Sequence, residues 1–132
     1  MFINCTANKL TPKQLASVQE LASDVLELSE IQKDLYEELL NCPTELDEIN
    51  DLLQEFSSFL LEWQDKREGK ELYLHFPIGS PYFMALFFCQ FPKDTRIIFL
   101  FSHSIEKSVE EIQTDGSIVI KTVLEFQKFL EL

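Results

Sequence analysis

The stretch from Glu71 to Ser104 limits this chain to few folds. Leu72-Tyr-Leu-His-Phe76 is a short apolar run suited to a buried strand. Pro77-Ile78-Gly79 breaks it. Ser80 is a good helix N-cap and Pro81 a good first helical residue. The helix expected over residues 82–91 is apolar on almost every face, which predicts burial on several sides. Lys93-Asp94 turns the chain, and Arg-Ile-Ile-Phe-Leu-Phe (96–101) predicts a second buried strand ending at Ser102-His103-Ser104. Strand, glycine turn, helix and strand make one βαβ crossover, with both strands parallel. In such a unit a ligand sits outside the carboxyl ends of the strands, over the helix N-terminus. Gly79, Ser80 and residues 102–104 are therefore expected at one mouth.

The segments around this unit repeat its logic. Phe2-Ile-Asn-Cys5 reads as a first strand, followed by a polar turn from Thr6. Thr11-Pro12-Lys13-Gln14 has a cap, a proline at N1 and glutamine at N3, a helix start with Leu15, Val18 and Ala22 on its buried side. Residues 25–28 predict a second strand, and residues 29–41 a helix interrupted by Cys42-Pro43. Thr44 opens another capping-box-like helix. Its apolar positions Leu46, Ile49, Leu52, Leu53, Phe56, Phe59, Leu60 and Trp63 form one stripe opposite an acidic face. Residues 108–113 and 117–122 read as a β-hairpin about Asp115-Gly116. Its second arm either continues to Phe129 or gives way to a short helix at Phe126. The whole predicts one α/β domain over residues 1–132, a mainly parallel sheet with a C-terminal β-hairpin.

Composition removes several functions. Eleven basic and twenty-three acidic residues give a net charge of −12, which argues against broad binding to duplex nucleic acid. Cys5, Cys42 and Cys89 are odd in number and widely spaced, so neither a zinc ribbon nor a redox pair is suggested. Cys5 and Cys89 sit in apolar runs and read as core. A soluble protein of the reducing cytoplasm is expected, with no membrane segment and no signal peptide.

No Walker lysine motif, GxGxxG, GxSxG or HExxH is present. The mouth itself is the candidate site. Gly79 permits close backbone approach, and amides around Ser80, Tyr82 and Phe83 could face an anion; alternatively Gly79 and Ser80 only make the turn and cap. Lys9 adds charge. His103, flanked by serines, is either a site residue or an ordinary loop residue. His75 reads first as a partly buried structural histidine. Glu110 and Glu111 are adjacent in a strand, face opposite sides, and make no metal pair.

Three stretches in order resemble a known family. They are Asn8-Lys9-Leu10-Thr11-Pro12-Lys13-Gln14, the Gly79-Ser80 turn with its apolar helix, and Phe101-Ser102-His103-Ser104 leading into residues 108–121. Together they are similar to the small CRISPR-associated Csx proteins, specifically the Csx family numbered twenty. The resemblance implies a CARF-like or Rossmann-like domain and an accessory role in type III CRISPR immunity. It implies a homodimer that binds a cyclic oligoadenylate, cyclic tetra-adenylate in particular, and slowly cuts it as a ring nuclease without metal or other cofactor. On that resemblance Ser102, His103 and Lys9 would act at the scissile linkage. Asn8, Thr11, Gly79, Ser80, Ser104 and Lys107 would hold the ligand. A sponge that sequesters the ring uncut, and a protein-binding adaptor using the acidic helix face, are the alternatives.

Overall fold

A computed structural model describes residues 1–132. The elements are β1 (Phe2–Asn4), α1 (Pro12–Leu21), β2 (Val25–Glu27), α2 (Leu28–Ile31), α3 (Lys33–Leu40), α4 (Leu46–Asp65), β3 (Leu72–Phe76), α5 (Pro81–Gln90), β4 (Ile97–Ile112) and β5 (Ile118–Glu131). The strands form one sheet in the order β2-β1-β3-β4-β5. The first three ladders are parallel and the β4–β5 ladder is antiparallel. The chain is thus an α/β protein with a mostly parallel mixed sheet, flanking helices and an antiparallel C-terminal strand pair. No helix is long and apolar enough to cross a membrane.

Strand alternation sends side chains to two unequal sides of the sheet. Ile3, Cys5, Leu74, Phe76 and Ile97 join Phe56 and Leu60 of α4 and Phe83 and Phe87 of α5 in a cluster of 18 buried residues. Phe87 sits at its centre, with ring centroids 5.1 Å from Phe56 and 5.5 Å from Phe99. On the other side Phe2 and Leu100 meet Val18 of α1 and Ala22 at its C-cap in a cluster of only 4. One helix covers that side, so polar side chains there can reach water.

Local sequence explains most element boundaries. Thr11 accepts from the Gln14 amide while the Gln14 side chain accepts from the Thr11 amide, so the capping box forms as expected. Ser80 caps α5 by accepting from Phe83 N. Other expectations change. Residues 102–104 are not a loop, because β4 runs unbroken from Ile97 to Ile112 while β5 pairs along it. Phe126 and Phe129 lie in β5, not in a helix. The helix expected over residues 29–41 breaks at Gln32 into α2 and α3. Helix α4 starts at Leu46 behind Glu45, and no side chain caps it. Leu15, expected inside, is exposed at the start of α1.

Helix α5 departs furthest from its prediction. Only Phe83 and Phe87 are fully buried, and Tyr82 is 56% exposed. Cys89, expected in the core, is exposed, whereas Cys5 is buried as expected. Composition told how apolar the helix is, but only one stripe of it meets α4 and the sheet. Phe56→Ala should therefore cost about 3–5 kcal/mol through the cavity it leaves. Cys89→Ser should change stability by no more than about 0.5 kcal/mol. Urea denaturation of the two variants checks the contrast, and equal costs would contradict this assignment of the core.

Candidate functional site

Parallel strands bring residues that end different strands side by side. Asn4, last in β1, is directly opposite Glu27 of β2 on one flank and His75 of β3 on the other. Ser102 of β4 stands beside His75, two residues beyond Leu100, which is the residue aligned with His75. All four are polar positions in apolar strands, and alternation turns Asn4, His75 and Ser102 toward α1.

Their hydrogen bonds have a fixed direction. The Asn4 Nδ2 donates to Glu27 Oε2 and to the Asn8 carbonyl, each at 2.9 Å. Its Oδ1 is therefore left to accept, from Thr6 Oγ1 at 2.9 Å and from His75 Nδ1 at 3.0 Å. That places the imidazole proton on Nδ1 and leaves Nε2 as an acceptor. Ser102 Oγ lies 2.7 Å from Nε2 and donates to it. Ser102 in turn accepts from Gln14 Nε2 at 3.0 Å. The Gln14 amide cannot turn round without losing the capping bond of its Oε1 to Thr11 N. One chain of hydrogen bonds thus runs from the start of α1 through Ser102, His75 and Asn4 to the Glu27 carboxylate.

Packing sets the charge of this chain. Phe129 contacts the His75 ring edge-on with centroids 5.0 Å apart, and Phe2 lies at 6.2 Å. Burial among these rings lowers the His75 pKa from 6.5 to about 4. The imidazole is neutral near pH 7. Burial also raises the Glu27 pKa, opposed by its bond from Asn4 and by the nearby Lys9 charge. A neutral histidine accepting from a serine hydroxyl, and oriented by a third side chain, is the arrangement of a base next to a nucleophile or a proton relay.

A cavity of about 390 Å³ opens onto this chain, lined by Thr6, Ala7, Asn8, Lys9, Gln14, His75, Pro77 and Ser102. Of the residues expected at the site, it brings Ser102, Lys9 and Asn8 together. Asn8 and Lys9 are exposed at its rim. Thr11 stands just outside, committed to the α1 cap. Gly79 and Ser80 lie on the α5 side of the sheet, where Ser80 Oγ meets Cys42 Sγ at 3.5 Å. Gly79 has φ +82°, and a Cβ there would come within 2.8 Å of the Phe83 ring. Of the amides expected to be free there, Phe83 N is engaged on Ser80 Oγ, and the next amide along, Met84 N, bonds the Ser80 carbonyl. His103 is exposed in β4 opposite Lys128, and Ser104 follows it opposite Phe126. Lys107 pairs with Glu125 at 3.4 Å, a carboxylate that also meets Lys13 at 3.6 Å. No three His, Cys, Asp or Glu side chains stand close enough together to hold a metal ion.

The residues that sequence reasoning passed over are His75, Gln14, Asn4 and Glu27. A signal existed for two of them: Asn4 and His75 are the polar residues inside otherwise apolar strands, and both are buried. The geometry defines an α/β protein with a small polar cavity at the carboxyl ends of its parallel strands, where β1 and β3 adjoin and the chain leaves toward opposite sides of the sheet. A family model described as uncharacterized protein MJ1673 family matches residues 1–130, and the chain belongs to that family. No curated protein and no solved structure matches it.

The buried imidazole has a measurable consequence. Between pH 6.5 and about 4 an unfolded chain takes up a proton that folded His75 refuses. Stability is therefore fully present above about pH 6.5, falls as pH drops through this window, and levels off below it. The loss should be on the order of 2–3 kcal/mol. Urea titrations of wild type and His75→Gln at pH 7 and pH 4.5 isolate the effect. The wild type should lose that much more than the variant, and parallel losses would show that His75 titrates normally.

Proposed function

We propose that this protein binds a cyclic oligoadenylate, cyclic tetra-adenylate in particular, and linearises it as an accessory ring nuclease of type III CRISPR immunity. The observation that carries the reading is the hydrogen bond from Ser102 Oγ to neutral His75 Nε2 in the wall of the carboxyl-end cavity. The resemblance to the Csx family numbered twenty supplies the substrate class. The strand order and the position of the cavity support a CARF-like or Rossmann-like domain. The acidic surface, with lysine at this rim, favours a small anionic ligand over a nucleic-acid duplex and suits a soluble cytoplasmic protein.

Ring cleavage asks little covalent chemistry of the protein. The ribose 2′-oxygen attacks the adjacent phosphorus in line, and the bond from phosphorus to the 5′-oxygen breaks. The products are a 2′,3′-cyclic phosphate and a 5′-hydroxyl. The 2′-hydroxyl proton passes to Ser102 Oγ as Ser102 gives its own to His75 Nε2. The leaving 5′-oxygen takes a proton from solvent. Asn4 holds the imidazole in the accepting tautomer and is a positioning residue. The Lys9 ammonium at the rim offsets charge on the non-bridging oxygens. His103 faces away from the Ser102–His75–Asn4 relay and takes no part in these proton transfers.

Labelled cyclic tetra-adenylate, incubated with protein in excess and a chelator, tests the reading. The expected product ends in a cyclic phosphate. Ser102→Ala and His75→Ala should each slow its appearance roughly 10²–10⁴-fold. A ring recovered whole after hours, but bound stoichiometrically, would replace the nuclease with a sponge. A panel of rings that neither binds nor raises the melting temperature would remove the nucleotide altogether.

A further inference from the structure

The amino ends of β1 and β3 point away from the site described above. A second cavity, of about 380 Å³, opens there between the end of α4 and the start of β2. That volume lies at the small end of the range usual for ligand cavities. The lining is charged rather than apolar, with Lys66, Arg67 and Lys70 just after α4 and Asp24 just before β2. Phe2 N donates to the Asp24 carbonyl at 2.8 Å and so holds that residue against the sheet.

Three of the eleven basic residues of this acidic chain thus fall within residues 66–70. None of the three makes an ion pair within the chain. The dipole of α4 accounts for Lys66 and Arg67 at its carboxyl end. It does not account for Lys70, which a turn through Glu68 and Gly69, at φ 60° and 67°, brings back beside them. Arg67 is also held in place. Its guanidinium lies over the Trp63 ring, 4.9 Å from the centroid, and Trp63 Nε1 is itself tethered to Met1 Sδ at 3.0 Å. A stacked guanidinium keeps its N–H edge free for a planar anion.

Gln64 is the independent sign that something is bound here. It is only 8% exposed, yet it lines the cavity. Its Nε2 donates to the Lys70 carbonyl at 3.3 Å, which fixes which end of the amide is which. No group in the chain donates to Oε1, and that oxygen is not sealed from outside, so it opens into the cavity as an unused acceptor. The carboxylates there divide in the same way. Glu71 is taken by Arg96 at 3.8 Å and by the Tyr73 hydroxyl at 3.0 Å. Asp24 and Glu68 have no cation of the chain in ion-pair contact. The cavity therefore offers unspent positive groups and unspent acceptors together.

We propose that this cleft is a second ligand site and that its ligand is a small zwitterion, a free α-amino acid. The ligand carboxylate lies on the fork of Arg67, with Lys66 and Lys70 beside it. The ligand ammonium faces Asp24 and Glu68 and donates to Gln64 Oε1. A bare anion would meet the two carboxylates, and a bare cation the three basic side chains, so neither half is held as well as the whole. The site shares no lining residue with the carboxyl-end cavity and does not depend on what that cavity binds.

Calorimetric titration and thermal melts of the full chain with each protein amino acid in turn test it. Propionate and ethylamine serve as the isolated halves of the ligand. At least one amino acid should bind, and at roughly a hundredfold excess over its Kd should raise Tm by about 5–10 °C. Propionate and ethylamine should each bind at least roughly tenfold more weakly. Arg67→Lys keeps the charge and loses the fork, and Asp24→Asn loses the charge and keeps the shape. Each should weaken binding roughly tenfold. Both positions are exposed, so neither change endangers the fold. No binding by any amino acid, an isolated half that binds as tightly as the whole, or variants that bind like wild type overturns the proposal. Ring cleavage uses none of these residues, so failure of the nuclease reading leaves this test intact.

Discussion

The carboxamide of Asn4 is the constraint on which the site depends. It is buried in a strand of otherwise apolar residues, where an unsatisfied amide would cost about 1–3 kcal/mol. Both ends are occupied, Nδ2 by Glu27 and Asn8, Oδ1 by Thr6 and His75. One side chain thus ties β1 to both neighbouring strands and to the loop that follows it. Because its two ends are chemically different, it also dictates the His75 tautomer and thereby the direction of the Ser102 hydroxyl.

The inequality of the two sheet faces explains how such a relay can persist in so small a domain. The α4–α5 side is a dry stack of phenylalanines, where a polar network would find no solvent. The α1 side is thin, and its helix starts with Gln14, whose amide both closes the cap and reaches Ser102. A single residue therefore serves the helix start and the cavity wall. Neutral His75 is a result of the same thin layer: Phe2 and Phe129 desolvate the ring, while Nε2 still meets Ser102 at the cavity wall.

Much of the architecture was legible in the residues. The strand and helix around Gly79, the Thr11 cap and the α4 stripe follow from local periodicity and capping chemistry, which neighbours in sequence determine. Depth of burial was less legible. Tyr82 and Cys89 are apolar by composition yet exposed, because burial depends on which helix stripe meets the sheet. The site was legible in part: Ser102, Lys9 and Asn8 fall at the cavity through strand order. Gly79 and Ser80 were placed by a correct turn but on the α5 side of the sheet. His75 was passed over because its role comes from Asn4 and Ser102, which are 71 and 27 residues away. No local pattern encodes that meeting.

Between Ser104 and His103 the ladder slips by one residue, since Phe126 opposes Ser104 while Lys128 opposes His103. Gln127 is the surplus residue. A strand has a period of two, so one extra residue is a half-period phase slip. It explains how Phe126 and Phe129, three apart, both turn to the α1 side. Inward of the slip, β5 keeps time with the hydrophobic core of its own domain. Outward of it, the parity of the same strand is inverted, and its apolar side chains Ile118, Ile120 and Leu124 stand exposed on the hairpin arm. Shortening the chain by that single glutamine would leave every outer residue opposite its present partner and on its present face, and make the ladder regular across the join.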